Sequence, residues 1–178
     1  FGSQGAKVMN ETIADMMVLE QADGFPFRHI HATGSFGKEW MPKRVKDNGV
    51  DYENCPAIDI REYIYDMPTV LTAADVVIGR AGSATCNEIA ASGTPCILVP
   101  SPNVTNNHQE KNARVLESGG GAVVLLEKDC TAETLYGLIR QLLADETRRA
   151  QMSRKLHAQL RPDSTDRICA IVEEITGR

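Results

Sequence analysis

The fold of this chain is constrained most by two short apolar runs that enclose one helical segment. Residues 75–78 (DVVI) lead into the glycine-containing loop 79–85 (GRAGSAT). A helical segment follows at 86–92, and residues 96–100 (CILVP) form the second run. Fully apolar strands that alternate with amphipathic helices are typical of a parallel sheet covered on both faces. The pattern predicts an α/β fold with a Rossmann-like parallel sheet and helices on both faces.

The rest of the chain continues this alternation of strands and helices. Predicted strands are 28–33, 57–60 and 122–126, and predicted helices are 36–47, 68–74, 107–117, a segment capped by Thr131, and 163–176. We expect residues 1–178 to form one domain. The opening loop 1–6 (FGSQGA) is of the kind that follows a buried strand. We therefore expect the chain to belong to a larger protein whose other half precedes it, with the last helix packing on this domain or toward that half.

Composition narrows the class of protein. The 178 residues are 42% hydrophobic and 24% charged, which is ordinary for a globular domain. The net charge of −5 argues against broad nucleic-acid binding. Five separated cysteines without a CxxC pair are typical of reduced cytosolic thiols rather than a disulfide framework or a zinc site. No apolar run approaches 18 residues, so we expect no membrane span.

The loop before the central helical segment has the features of a nucleotide-sugar site. Gly82, Ser83, Ala84 and Thr85 put small residues and hydroxyls at a helix N-terminus, where free N–H groups and the helix dipole favour phosphate. Glu88 follows one turn later, on the same side by helical spacing. Its carboxylate can accept hydrogen bonds from both hydroxyls of a ribose. The alternative is a capped helix with an exposed glutamate.

Two further features have groups that suit a phosphate. Ser3 and Gln4 lie in a GSQG loop that suits a diphosphate, or serves only as a tight strand-to-helix turn. Arg80 can pair with a phosphate or form a structural salt bridge. The GSQG loop does not fit GxGxxG, and no acidic residue plainly ends a second strand, so NAD binding is disfavoured.

Two further segments offer groups for a sugar and a base. His108 and Gln109 open a helix, and their imidazole and amide suit sugar hydroxyls, which need donors and acceptors. Local capping is the alternative, and Asn112, one turn on, is expected to support the loop. Tyr63 and Ile64 lie in a predicted loop, where a ring can stack on a base and a backbone group can bind its edge. Core packing is the alternative for this pair.

Taken together and in this order, the motifs GSQGA, EYIYDM, ADVVIGRAGSATCNE, GTPCILVPSP and NHQEKNA resemble the MurG family of bacterial glycosyltransferases. The resemblance runs from the first residue to the last helix. It implies the C-terminal, donor-binding half of a two-domain GT-B enzyme that transfers N-acetylglucosamine from UDP-N-acetylglucosamine to lipid I, forming lipid II.

The resemblance also implies residue roles. The diphosphate would contact Ser3 and the helix N-terminus at 83–85, while Glu88 would bind the ribose. Tyr63 and Ile64 would hold the uracil, and the 108–109 pair would face the N-acetylglucosamine. The family often has two glutamines at that pair, so this chain departs from the family pattern at His108.

The resemblance implies that catalysis and acceptor binding depend on residues outside this chain. The general base, the lipid I site and the membrane patch belong to the N-terminal half, so no catalytic residue is expected here. The enzyme would act at the inner face of the cell membrane as a peripheral protein, and neither a cofactor nor a metal is implied. Alternatives are a glycolipid synthase of the same fold, a more distant UDP-N-acetylglucosamine 2-epimerase, and a non-catalytic nucleotide-binding or interaction module.

Overall fold

The computed structural model describes residues 6–160 and 163–177. In this part of the chain, parallel strands form two sheets. One sheet has the order β1–β2 and the other the order β3–β4–β5. The strands are β1 (His29–Ala32), β2 (Ile58–Arg61), β3 (Val77–Gly79), β4 (Cys96–Leu98) and β5 (Ala122–Val124).

Helices connect and cover these strands. They are α1 (Lys7–Ala22), α2 (Trp40–Asp47), α3 (Met67–Ala73), α4 (Ser83–Ser92), α5 (His108–Ser118), α6 (Ala132–Ala144), α7 (Glu146–Gln159) and α8 (Ser164–Thr176). Short 3-10 turns span Thr105–Asn107 and Glu127–Asp129.

Strand β4 separates two hydrophobic cores. Ile97 and Val99 belong to the core formed with α1, α2 and α6, whereas Cys96 and Leu98 belong to the core formed with α4 and α5. Side chains alternate between the two faces of a strand, so the cores lie on opposite sides of the sheet. The predicted α/β fold, with parallel strands and helices on both faces, is confirmed. The described strands form two sheets rather than a continuous one.

Two helix boundaries follow from local sequence. Thr131 begins α6 with a capping box: its hydroxyl accepts from the Thr134 amide, and its own amide donates to the Thr134 hydroxyl. Helix α5 ends at Ser118 and is followed by a glycine in the left-handed region, Gly120 (φ 78°), whose amide donates to the carbonyl oxygen of Glu117. The sequence predicted both boundaries.

Helix α2 begins later than predicted. It starts at Trp40, and residues 35–39 form turns pressed against α1. A Cβ at Gly37 would lie 2.3 Å from Asn10 Nδ2 and 2.6 Å from the Thr33 carbonyl oxygen, so the segment approaches α1 more closely than a side chain allows. The Asn10 amide donates to that same carbonyl at 2.8 Å.

Candidate functional site

The candidate site residues that the structure describes follow the carboxyl ends of strands. Residues 62–66 follow β2, residues 80–82 follow β3, and residues 99–107 follow β4. In parallel α/β sheets, ligands bind at this edge. Ser3 and Gln4 lie outside the described residues.

The N-terminus of α4 is open to a ligand. The helix begins at Ser83, three residues earlier than the sequence predicted, so residues 83–85 form its first turn. Its N-cap is Gly82, which supplies no side-chain cap, and the first turn holds no acidic residue. Cys86 donates the first intrahelical hydrogen bond, to the Gly82 carbonyl. The amides of the first turn therefore project toward the loop edge without a side-chain acceptor, as an anion site requires.

Glu88 lies one turn beyond these amides, on the exposed surface of α4. Ala84 is exposed and Thr85 half-buried, and both lie on the same side of the helix by their spacing from Glu88. No hydrogen bond or ion pair engages the Glu88 carboxylate within residues 6–160 and 163–177. The carboxylate is therefore available to accept from ligand hydroxyls.

Arg80 forms a structural ion pair. Its guanidinium donates to the carboxylate of Glu127 and to the carbonyl of Val99, the latter at 3.0 Å. Only 13% of the Arg80 side chain and 15% of the Glu127 side chain are exposed. The pair ties the loop after β3 to the loop after β5, which corresponds to the structural alternative for Arg80. The sequence did not identify Glu127 as this partner, because it lies 47 residues from Arg80.

The loop before α5 is held by hydrogen bonds to the first residues of that helix. Asn106 and Asn107 both lie in the left-handed region, with φ of 54° and 53°, which asparagine tolerates better than most residues. Gln109 accepts from the Ser101 amide at 2.9 Å, and this bond closes the loop. The Gln109 side-chain NH2 remains a potential donor to a ligand.

His108 is the first residue of α5 and is exposed. Its Nδ1 lies 3.0 Å from the Thr105 carbonyl oxygen. A carbonyl only accepts, so Nδ1 carries the proton and Nε2 of the neutral ring is an acceptor. The capping role and the ligand-facing role of His108 are therefore compatible.

The loop after β2 exposes aromatic surface. Tyr63 is 45% exposed and Tyr65 is 91% exposed, and their ring centroids lie 5.0 Å apart at 64°. Ile64 is buried, so its side chain packs inside while its backbone lies in the loop. Tyr65 was not singled out from the sequence, although the motif EYIYDM contains it.

One hydrogen bond joins two of the candidate segments directly. The Asn112 amide donates from α5 to the Ala81 carbonyl, in the loop before α4, at 3.0 Å. The structure thus brings together the loop before α4 and the helix that carries His108 and Gln109. Among the described residues, no hydrogen bond links the loop after β2 to either segment.

Neither the thiol of Cys86 in α4 nor that of Cys96 in β4 is suited to nucleophilic chemistry. Burial raises the pKa of Cys86, and burial together with the nearby Cys86 raises the pKa of Cys96 to about 12. Both thiols stay protonated at neutral pH, whereas the nucleophile is a thiolate. Among the described residues, no three His, Cys, Asp or Glu side chains cluster as metal ligands would. None of the helices in that part of the chain is long and apolar enough to cross a membrane.

Comparison with known families decides the class of this chain. The model of the glycosyltransferase family 28 C-terminal domain matches residues 1–168. The chain belongs to this family. The resemblance to the MurG family that the motifs predicted is thereby confirmed, since curated relatives carry the matching activity in their names.

Two such relatives are each named UDP-N-acetylglucosamine–N-acetylmuramyl-(pentapeptide) pyrophosphoryl-undecaprenol N-acetylglucosamine transferase. The protein from Acetivibrio thermocellus is 39% identical over 98% of this chain and 46% of its own length. The protein from Ruminiclostridium cellulolyticum is 40% identical over the same shares. This family 28 chain thus spans about half the length of these relatives.

Solved structures agree with the fold. The crystal structure of Acinetobacter baumannii MurG matches with a TM-score of 0.81 and 25% identity, over 97% of this chain and 48% of that one. Glycosyltransferase VinC, solved with dTDP, matches with a TM-score of 0.67 over 96% of this chain and 40% of that one. Its 18% identity supports likeness of fold alone.

Proposed function

We propose that this chain is the donor-binding domain of an inverting glycosyltransferase that transfers N-acetylglucosamine from UDP-N-acetylglucosamine to lipid I, forming lipid II. Membership of glycosyltransferase family 28 and the names of the relatives support the proposal. The observation that carries it is the open N-terminus of α4, with the unpaired carboxylate of Glu88 one turn away. Together they offer donors for a phosphate and an acceptor for a ribose.

The diphosphate would lie at the start of α4. Gly82 has no side chain, so a phosphate could approach the backbone closely there. The amides of residues 83–85 would donate to the phosphate oxygens. Glu88 would accept from the ribose hydroxyls. Ser3 and Gln4, in the GSQG loop, would contact the diphosphate as well. Helix dipole and amides together favour the anion without a basic side chain.

The sugar and the base would occupy the neighbouring loops. His108 would accept through Nε2 from a hydroxyl of N-acetylglucosamine, and the Gln109 NH2 would donate to another. The exposed ring of Tyr63 would stack on the uracil, and the backbone of Ile64 would bind its edge. These roles use groups whose local hydrogen bonds leave a donor, an acceptor or a ring face available.

The reaction would be a direct displacement at the anomeric carbon. An acceptor hydroxyl forms the new C1–O bond while the bond from C1 to the phosphate oxygen breaks, and UDP leaves with the electron pair. The hydroxyl proton goes to a base outside this chain. The amides at the start of α4 would stabilise the negative charge that develops on the leaving phosphate.

We propose that a preceding half of the longer protein supplies the acceptor site. Lipid I would bind there, which makes the enzyme peripheral to the cytoplasmic face of the membrane. In the described residues, α8 buries none of its side chains, and Ile168, Ile171, Val172 and Ile175 are all exposed. Such an apolar stripe is typical of a docking face, and we propose that it packs toward that half. Hydrogen exchange of α8 should then be slower in the full-length protein than in this chain; equal exchange would refute the docking.

Product analysis with the full-length protein tests the proposed reaction. The enzyme is incubated with labelled UDP-N-acetylglucosamine and either lipid I or diacylglycerol in detergent micelles. Label transferred to lipid I is the expected result. Transfer to diacylglycerol alone would instead indicate a glycolipid synthase. A folded protein that transfers no label and binds no uridine nucleotide would be a non-catalytic module.

A further inference from the structure

The side chain of Asn112 links the two parts of the candidate donor site by a hydrogen bond. Asn112 lies in α5, one turn after His108 and Gln109, and is half-buried. Its Nδ2 donates to the carbonyl oxygen of Ala81 at 3.0 Å. Ala81 is fully buried in the loop that leads into α4. Asn112 therefore connects the helix with the sugar-binding candidates to the loop before the phosphate-binding candidates.

The Ala81 carbonyl needs this partner. A buried carbonyl without a hydrogen bond costs more free energy than an exposed one, because it loses water without gaining a donor. The carbonyl lies immediately before Gly82, the N-cap of α4. Losing the bond would therefore leave the start of α4 less firmly fixed relative to the start of α5.

We propose that Asn112 is a positioning residue that couples the diphosphate part of the donor site to its sugar part. Through Ala81 it fixes the start of α4 relative to the start of α5. This inference rests on the proposed function, because it assigns phosphate to one helix start and sugar to the other. A ligand that contacts both helix starts gains from the coupling, whereas a ligand without a contact on α5 gains little.

The prediction is a change in selectivity rather than a uniform loss of binding. UDP-N-acetylglucosamine spans both parts of the site, whereas UDP lacks the sugar that would reach α5. In Asn112→Ala and Asn112→Asp, the affinity for the nucleotide sugar should fall about tenfold, the loss expected for one hydrogen bond to a buried group. The affinity for UDP should fall about twofold or less, because none of its proposed contacts lies on α5.

The two variants have different purposes. Asn112→Asp keeps the size of the side chain, but at pH 8 its carboxylate cannot donate to Ala81. Asn112→Ala removes the amide without introducing a charge, and circular dichroism checks that both variants fold. The matched control is Asn48→Ala: Asn48 Nδ2 also bridges two helices, donating to the Ala14 carbonyl at 3.4 Å and to Asp15 at 3.0 Å. The control should keep the wild-type ratio of the two affinities.

A second measurement needs no ligand. The Cys86 amide donates to the Gly82 carbonyl and reports on the start of α4. Its hydrogen exchange, followed by NMR, should become about tenfold faster in both Asn112 variants and stay unchanged in the Asn48 control.

The outcomes separate the two proposals. Equal losses for UDP and UDP-N-acetylglucosamine, an Asp variant that behaves like wild type, or unchanged Cys86 exchange would each overturn the coupling role of Asn112. If the wild-type chain binds neither ligand while remaining folded, the donor-site proposal fails, and the exchange measurement alone then decides whether Asn112 holds α4.

Discussion

Neutralising Glu127 should destabilise the domain because it leaves Arg80 charged and mostly buried. Removing one partner of a fully buried ion pair costs about 3–5 kcal/mol. Arg80 and Glu127 are 13% and 15% exposed, and Arg80 keeps its bond to the Val99 carbonyl, so some of that cost is avoided. We expect Glu127→Gln to lower the free energy of unfolding by about 2–3 kcal/mol. For a domain of this size that corresponds to a fall in melting temperature of roughly 5–10 °C.

Thermal unfolding followed by circular dichroism measures this loss. Adding Arg80→Met to the variant should restore part of the stability, because it removes the uncompensated charge. The matched control is the exposed pair of Arg140 and Asp23, joined at 2.6 Å with side chains about half exposed. Asp23→Asn should shift the melting temperature far less, since solvent screens exposed pairs. A melting temperature unchanged by Glu127→Gln, together with tighter UDP binding, would refute the structural role and favour Arg80 as a phosphate ligand.

Three further predictions concern residues outside the candidate site. Gly37→Ala should lower the free energy of unfolding by about 2–3 kcal/mol, because its Cβ would meet Asn10 Nδ2 at 2.3 Å and the Thr33 carbonyl at 2.6 Å. Gly137 lies in the middle of α6, where an added Cβ meets no other atom, so Gly137→Ala should raise the free energy of unfolding by about 0.5–1 kcal/mol. Urea unfolding of both variants would show the loss of stability in the first and the gain in the second. Burial holds the pKa of His31 well below 6.5, so the folded ring stays neutral while the unfolded ring takes up a proton below that pH. Stability should therefore be fully present above about pH 6.5 and fall by up to about 1.4 kcal/mol per pH unit below it, a decline that His31→Gln should reduce; equal decline in both proteins would contradict this.

The sequence predicted the fold well because its signals were local and repeated. The apolar runs at 75–78 and 96–100 correspond to β3 and β4, and Thr131 caps α6 as expected. The start of α2 was harder to predict, because the turns around Gly37 are determined by contact with Asn10 on another helix. A helical pattern alone contains no information about such a contact.

The candidate site was predictable as a set of segments but not as a network. The sequence singled out residues 82–85 and Glu88 as binding candidates, although α4 begins three residues earlier than predicted, and their binding roles stay predictions. It left the role of Arg80 open, because its partner Glu127 lies 47 residues away. It also gave no way to see that Asn112 binds Ala81, since side-chain partners between helices depend on how the helices pack.

Titration of this chain with UDP, UDP-N-acetylglucosamine and ADP, repeated with Glu88→Ala, tests the central claim most directly. The account predicts saturable binding that is selective for uridine. Loss of charged hydrogen bonds to the ribose should weaken it roughly 10- to 100-fold in Glu88→Ala. Glu174→Ala, which removes an exposed glutamate from α8, should bind like wild type. Equal affinity for ADP and UDP, or an affinity that Glu88→Ala leaves unchanged, would contradict the assignment of the donor site.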